Sequence, residues 1–262
     1  MIVCWFSCGA ASACAAKLAI EKYGKENVRL VNNPVANEHP DNVRFLRDCE
    51  QWLGVKIETA INPCYKNCDI TEVFDRYGLV STPRFAPCTL ELKQMARMQW
   101  ESDNGFDKAT DIIVMGYTVE EKNRQTNFNK SEKNKGYTLE CPLIDAGWDK
   151  HRCFDEIERA GIKLPEIYTK YGFPNANCIG CVKSGSVWYW RLVKKHFPEV
   201  FEQRVEQSRR LGCRLLEKAK DGGVEHLFLD ELTDDMKGRK PKSCYVECGI
   251  FCGMKEDQKE GK

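Results

Sequence analysis

The sequence predicts an α/β protein, with a mostly parallel sheet flanked by helices and a helical, cysteine-containing C-terminal region. Three features predict it. Short apolar runs rich in β-branched residues alternate with helix-period stretches, which is the rhythm of parallel βαβ units. The first run, Ile2-Val3-Cys4-Trp5-Phe6, passes through the small residues Ser7 to Ser12 straight into an alanine-rich helical stretch, Ala13 to Ile20. A cysteine pair, Cys178-Ile179-Gly180-Cys181, comes only after the last expected strand.

A break at Gly24 separates the first helix from a second strand, Val28 to Val31, which runs into the polar loop Asn32 to Asn42. That loop falls at the carboxyl edge of the sheet, where ligands of open α/β sheets gather. His39 and Asp41 are placed there to contact a ribose or base, although Asp41 serves equally well as the cap of a helix over Asn42 to Leu53. Lys56 to Ile61 reads as a third strand and Thr71 to Tyr77 as a short helix. After Pro87-Cys88-Thr89, the stretch Leu90 to Trp100 is helical and puts Lys93 and Arg97 one turn apart on one face. Asp111 to Tyr117 is another buried strand, Asn123 to Lys135 a mobile polar surface loop, Cys141 to Ile144 an extended run and Asp149 to Ala160 a helix. Beyond the aromatic, glycine-rich Tyr168 to Gly172, helices are expected over Val187 to Lys195 and Pro198 to Lys220, and disorder over the charged tail Lys255 to Lys262. Residues 1–185 then form the α/β domain, and 186–262 a helical extension packed on it.

Composition removes several classes. Forty Lys+Arg against thirty-nine Asp+Glu leave a net charge of +1, which does not indicate a nucleic-acid partner. Arg191, Lys194, Lys195, Arg204, Arg209, Arg210 and Arg214 share helical stretches, and most of them read as solvated helix charges. No apolar run is long enough to cross a bilayer, and the five-residue apolar start is too short for a signal peptide. Fifteen cysteines in a chain of this kind point to a cytoplasmic protein with metal, cluster or thiol chemistry rather than disulfides. Cys4, Cys14, Cys49, Cys153 and Cys213 sit among apolar or helical residues and need only pack.

Two constellations carry chemistry. Ser7-Cys8-Gly9-Ala10-Ala11-Ser12 joins a buried strand to a helix N-terminus, where backbone N–H groups converge and the helix dipole is positive, as a phosphate site requires. It matches neither the G-x-x-x-x-G-K-[ST] loop nor the G-x-G-x-x-G fingerprint, and a junction that needs small residues only for packing fits the stretch equally well. Cys178 and Cys181 have the spacing used for zinc, for iron–sulfur clusters and for redox dithiols. No second C-x-x-C lies close by, as a zinc ribbon wants. With Cys88 as a distant third thiolate, an iron–sulfur cluster is the better reading and structural zinc its main rival.

Ser7 to Ser12 resembles the S-G-G-x-x-S pyrophosphate loop of the adenine-nucleotide alpha-hydrolase-like superfamily. Further pieces, in order along nearly the whole chain, resemble the phosphoadenylyl-sulfate (PAPS) and adenylyl-sulfate (APS) reductase family, and more closely its phage and bacterial relatives of unassigned role. These pieces are Pro87 to Lys93, Gly116-Tyr117-Thr118 with Arg124, Cys141 to Asp145, Tyr171 to Cys181, and Glu247-Cys248-Gly249-Ile250. The resemblance implies a Rossmann-like, HUP-type fold. It also implies an adenine nucleotide (ATP, APS or PAPS) on Ser7, Cys8, Gly9, Ala10, Ala11, Ser12, His39, Gly116, Tyr117 and Arg124. By the same resemblance Cys248 is the nucleophile, with Glu247 and Lys93 beside it, and a 4Fe–4S cluster takes Cys88, Cys178 and Cys181, its fourth ligand coming from Cys252, from Cys248 or from outside the protein. The chain departs from the family where Pro87 replaces one of two paired cysteines, Ser184 stands for a ligand, Thr118 for an arginine and Phe251 for a histidine.

Three functions follow as expectations. The first is reduction of an adenylylated sulfate to sulfite by the Cys248 thiolate, with a thiol electron donor such as thioredoxin. The second is ATP-dependent sulfur insertion into a nucleic acid or small molecule, with a sulfur donor. The third is a nucleotide- or cluster-binding sensor without turnover.

Overall fold

The computed structural model describes residues 1–81, 85–220, 223–238, 240 and 250–251. Five strands, β1 (Ile2–Trp5), β2 (Val28–Asn32), β3 (Ile57–Thr59), β4 (Ile112–Val114) and β5 (Thr138–Glu140), form one sheet in the order β3-β2-β1-β4-β5. Every neighbouring pair is parallel. The strand order therefore reverses beside β1, and the crevice at its carboxyl end is where such a sheet takes a ligand.

The helices are α1 (Ala10–Tyr23), α2 (Asp41–Leu53), α3 (Ile70–Tyr77), α4 (Pro87–Thr89), α5 (Ala96–Asp103), α6 (Lys122–Lys130), α7 (Pro142–Asp145), α8 (Lys150–Arg159), α9 (Glu166–Thr169), α10 (Val187–His196) and α11 (Pro198–Arg210). Alternation along β1 sends Cys4 to one face of the sheet, into a core with Ala13 and Ala16 of α1, Phe45 of α2 and Ile157 of α8. Val3 and Trp5 go to the other face, with Trp100 of α5, Phe128 of α6 and Phe251. A third core lies beside the sheet and joins Val73 and Phe74 of α3, Cys178, Cys181, Trp190 of α10 and Phe201 of α11. The result is the α/β Rossmann-like architecture with a helical C-terminal region. Among the described residues no helix is long and apolar enough to cross a membrane.

Three local expectations are corrected. Residues 123–135 are not a loop: Lys122–Lys130 is helical and Glu132–Asn134 a 3₁₀ turn, because buried Phe128 pins this otherwise polar segment to the sheet. Cys141–Ile144 is not extended: β5 ends at Glu140, and Pro142 opens the helical turn α7, a position where its missing N–H costs nothing. The helix expected to reach Lys220 stops at Arg210, since Gly212 turns left-handed with φ 66°. Leu216–Lys220 (β6) then pairs antiparallel with Gly223–Leu227 (β7). The expected charged tail, Lys255 to Lys262, lies outside the described residues.

Candidate nucleotide site and cysteine site

The loop between β1 and α1 is built around Ser12. Its hydroxyl donates to the Gly9 carbonyl (2.8 Å) and accepts from the Ser7 backbone N–H (3.1 Å) and the Ser7 hydroxyl (3.2 Å). Cys8 sits at φ 55°, and Asn32 at the end of β2 steadies the turn by donating to the Phe6 carbonyl (2.7 Å). Among the described residues no side chain caps the first turn of α1. Its leading N–H groups therefore need an acceptor from outside the helix.

A cavity of about 260 Å³ opens over this turn, lined by Ser7, Gly9, Ala11, Ser12, Lys93, Gly116, Tyr117 and Arg124 among others. Gly116, just past β4, is there for close approach: a Cβ on it would lie 2.8 Å from the Ser12 backbone. Lys93 enters from a π-helical turn, Leu90–Met95, whose wider coil re-aims side chains relative to an α-helix. Arg124 is ion-paired to Glu121 at 2.6 Å and lies 4.3 Å from the Tyr117 ring centre. Glu38 faces the same cavity, and burial pushes its carboxyl up, with Lys93 and a hydrogen bond from Asn42 (3.1 Å) pulling the other way.

Of the residues expected at the nucleotide, Cys8 and Ala10 are buried behind the loop, and burial pushes the Cys8 thiol well up. His39 is not in the cavity lining; it packs between Tyr171 (5.2 Å) and Phe197 (6.0 Å), and its Nδ1 accepts from the Asp41 backbone N–H (3.2 Å). Asp41 holds Arg44 instead of a ligand. Polar lining residues absent from the sequence-based set include Asn33, Glu38, Glu120, Glu121, Lys150, His151, Tyr168, Asn175 and Asn177. Glu38 and Asn33 share the polar loop after β2 that already held His39, so position in that loop was their signal. The others come from segments far apart in sequence, namely the 3₁₀ turn Val119–Glu121, the first turn of α8, α9 and the loop that carries Asn175 and Asn177, and nothing local marks them.

Arg97 does not join Lys93 at the cavity. It is buried, paired to Glu101 (2.6 Å), and it donates to the Tyr137 hydroxyl (2.6 Å) and the Ile250 carbonyl (3.3 Å). Phe251 lies over its guanidinium at 4.1 Å and against Phe128 and Tyr137. Ile250, beside it, lines the cavity. Glu247, Cys248 and Cys252 lie outside the described residues, as does Cys244.

The cysteine site is a separate construction. Tyr189 of α10 pins the Cys178–Cys181 turn from below: its hydroxyl accepts from the Cys181 N–H (2.6 Å) and donates to the Cys178 carbonyl (3.2 Å). Gly180 takes φ 72° in the turn and rests on Val200 and Arg204 of α11. Both thiols are buried, and Cys88, on α4, packs on the same core. These thiols are soft donors of the kind an iron–sulfur cluster takes. Among the described residues, however, no three His, Cys, Asp or Glu side chains converge closely enough to hold a metal ion, and Cys88, Cys178 and Cys181 do not form such a group.

No protein-family model and no curated relative matches the sequence. Two solved structures are similar in fold. One is a phosphoadenylyl-sulfate (PAPS) reductase from Candida auris in a phosphate complex, 12% identical over 68% of this chain and 80% of that chain, with TM-score 0.46. The other is a glutamine-dependent NAD+ synthetase from Acinetobacter baumannii in complex with ADP, 16% identical over 97% of this chain, with TM-score 0.41. The chain spans 46% of the synthetase's length.

Proposed function

We propose that this chain is a nucleotide-binding enzyme of sulfur transfer that reduces an adenylylated sulfate to sulfite. The observation that carries the reading is the cavity: an uncapped helix N-terminus, Lys93 and Ile250 meet in one space at the carboxyl edge of the sheet. In this reading the phosphate rests on the Ser7–Ser12 turn, Lys93 supplies positive charge, and Asn33, Asn175 and Asn177 offer the neutral donors and acceptors a base and ribose require. Ile250, which lines the cavity, belongs in sequence to the Glu247-Cys248-Gly249-Ile250 stretch that carries the expected nucleophile, and this supports the reading.

The chemistry balances as two thiol steps. The Cys248 thiolate attacks the sulfate sulfur; an S–S bond forms, the bond from that sulfur to the bridging phosphate oxygen breaks, and AMP or its 3′-phosphate leaves with the electron pair. A second thiol, from Cys244, Cys252 or a dithiol protein such as thioredoxin, attacks the Cys248 sulfur. The resulting disulfide carries the two-electron oxidation and sulfite departs. Cys88, Cys178, Cys181 and Cys252 would hold an iron–sulfur cluster, which when bound supplies redox-active iron.

One observation favours a second reading, ATP-dependent sulfur insertion. Glu38, Glu120 and Glu121 share the cavity wall with the cations. Carboxylates oppose an extra 3′-phosphate, whereas they suit a magnesium-chelated triphosphate. Sulfite release from APS and PAPS by anaerobically purified protein, with Cys248→Ser as control, decides between them. Sulfite that disappears in the variant supports the reductase. A protein that binds nucleotide yet releases no sulfite, and cleaves ATP to AMP and pyrophosphate, moves the assignment to thiolation; binding without any product leaves a sensor.

A further inference from the structure

Gly9 is the last residue before α1, and its backbone does not ask for a glycine. It takes φ −109° and ψ 155°, extended values that any residue adopts. What excludes a side chain is a neighbour: a Cβ on Gly9 would lie 3.0 Å from the Tyr168 hydroxyl oxygen and 3.8 Å from Ser7 Oγ. The first of these is closer than a carbon and an oxygen pack, so the glycine leaves room for that hydroxyl. Ser7, Gly9 and Tyr168 all line the cavity. A tyrosine of α9, far along the chain, thus reaches the start of α1, where N–H groups need an acceptor from outside the helix.

Contacts from α8 and α2 place that hydroxyl. The Tyr168 ring packs on Phe154 of α8 at 5.2 Å, and Lys150 Nζ lies 5.1 Å from the ring centre. The start of α9 is tied to the start of α2. Asp41 accepts from the Glu166 N–H (2.9 Å), and Arg44, ion-paired to Asp41 at 2.6 Å, donates to the carbonyls of Lys163 (3.0 Å) and Leu164 (3.3 Å). Packing asks only for the ring, which a phenylalanine supplies as well; the oxygen is what reaches the loop. We propose that Tyr168 is a further phosphate-binding residue: its O–H donates to an oxygen of the phosphate that rests on the Ser7–Ser12 turn, and Gly9 stays bare to admit it. The phenol is a neutral donor, so it strengthens binding through one charge-assisted hydrogen bond and adds nothing to the charge of the cavity. The inference rests on the reading of the turn as a phosphate site and is independent of which reaction follows there.

The test titrates the full chain with ATP, and with adenosine as the phosphate-free control, in wild type, Tyr168→Phe, Gly9→Ala and the double variant. Tyr168→Phe keeps the ring and its packing, so the ligand-free chain should melt with wild type. Its ATP affinity is expected to fall about ten- to a hundred-fold while adenosine affinity stays within about two-fold. The dependence of ATP affinity on salt should not change, since no charge is removed. Gly9→Ala pushes the hydroxyl aside and should weaken ATP binding about three- to ten-fold in wild type, yet by less than about two-fold in the Tyr168→Phe background, where the added Cβ meets nothing closer than Ser7 Oγ. ATP bound by Tyr168→Phe as tightly as by wild type, equal losses for ATP and adenosine, or fully additive losses in the double variant each overturn the proposal. A wild-type chain that binds no ATP overturns the nucleotide reading and this inference with it; binding in wild type that Tyr168→Phe leaves unmoved rejects this inference alone.

Discussion

The cavity over the Ser7–Ser12 turn and the cysteine turn at Cys178–Cys181 are built on opposite plans. The first is backbone and small side chains from segments next to one strand: an uncapped helix start, a serine bonded to its own loop, and a glycine pressed against both. The second is a loop held by large side chains from two later helices, Tyr189 beneath it and Arg204 against it. A site made of backbone fails when atoms are added. One made of placed side chains fails when they are removed.

Gly116→Ala should give the largest effect, because the new Cβ meets backbone atoms of Ser12 that cannot move without opening the loop. Nucleotide affinity, read by calorimetry with ATP, is expected to fall more than about a hundred-fold. Lys93→Met removes a cation from the cavity wall and should weaken binding about ten- to thirty-fold, with a shallower dependence on salt. Tyr189→Phe sharpens the contrast from the other side. It deletes both hydrogen bonds to the cysteine turn and should cost about 1–3 kcal/mol in thermal unfolding while nucleotide affinity stays within about two-fold. Ser12→Ala, which leaves the loop backbone but removes its internal acceptor, should cost about five- to ten-fold in nucleotide affinity.

The smallest effect concerns pH. Burial holds the Glu38 carboxyl above its ordinary range, so the folded state takes up its proton more readily than the unfolded chain does. Its contribution to stability is therefore present below the unfolded pKa and is lost as pH rises through the folded one. Over that window a charge also develops beside a bound phosphate, and wild-type nucleotide affinity should decline with rising pH. Glu38→Gln should flatten both slopes; an unchanged slope in titrations of melting temperature would place the dependence elsewhere.

Much of the fold was readable from periodicity. Strands around Ile2–Trp5, Val28–Asn32 and Ile112–Val114 are apolar runs that only a doubly covered sheet buries, and the small residues after the first one announced the turn. The misplaced segments share one cause: their structure depends on a contact from elsewhere. Residues 122–130 have little helical amphipathicity of their own and are held by Phe128, and the β6–β7 hairpin follows a helix end that a single glycine sets.

The site divides in the same way. The Ser7–Ser12 turn was legible as a small-residue junction into a helix, and Lys93, Gly116 and Tyr117 through short segments that resemble the reductase family; the cavity brings them together. His39 and Arg97 carried the right chemistry in the right order, yet one is packed among aromatic rings and the other is spent on Glu101 and the chain at Ile250. The sequence by itself determined which stretches become strands and where a phosphate could meet a helix N-terminus, since propensity and small-residue turns act within a few residues. Only the tertiary structure decided which charges face the cavity and which are buried, as with Arg204, because burial depends on what packs against a side chain from distant parts of the chain.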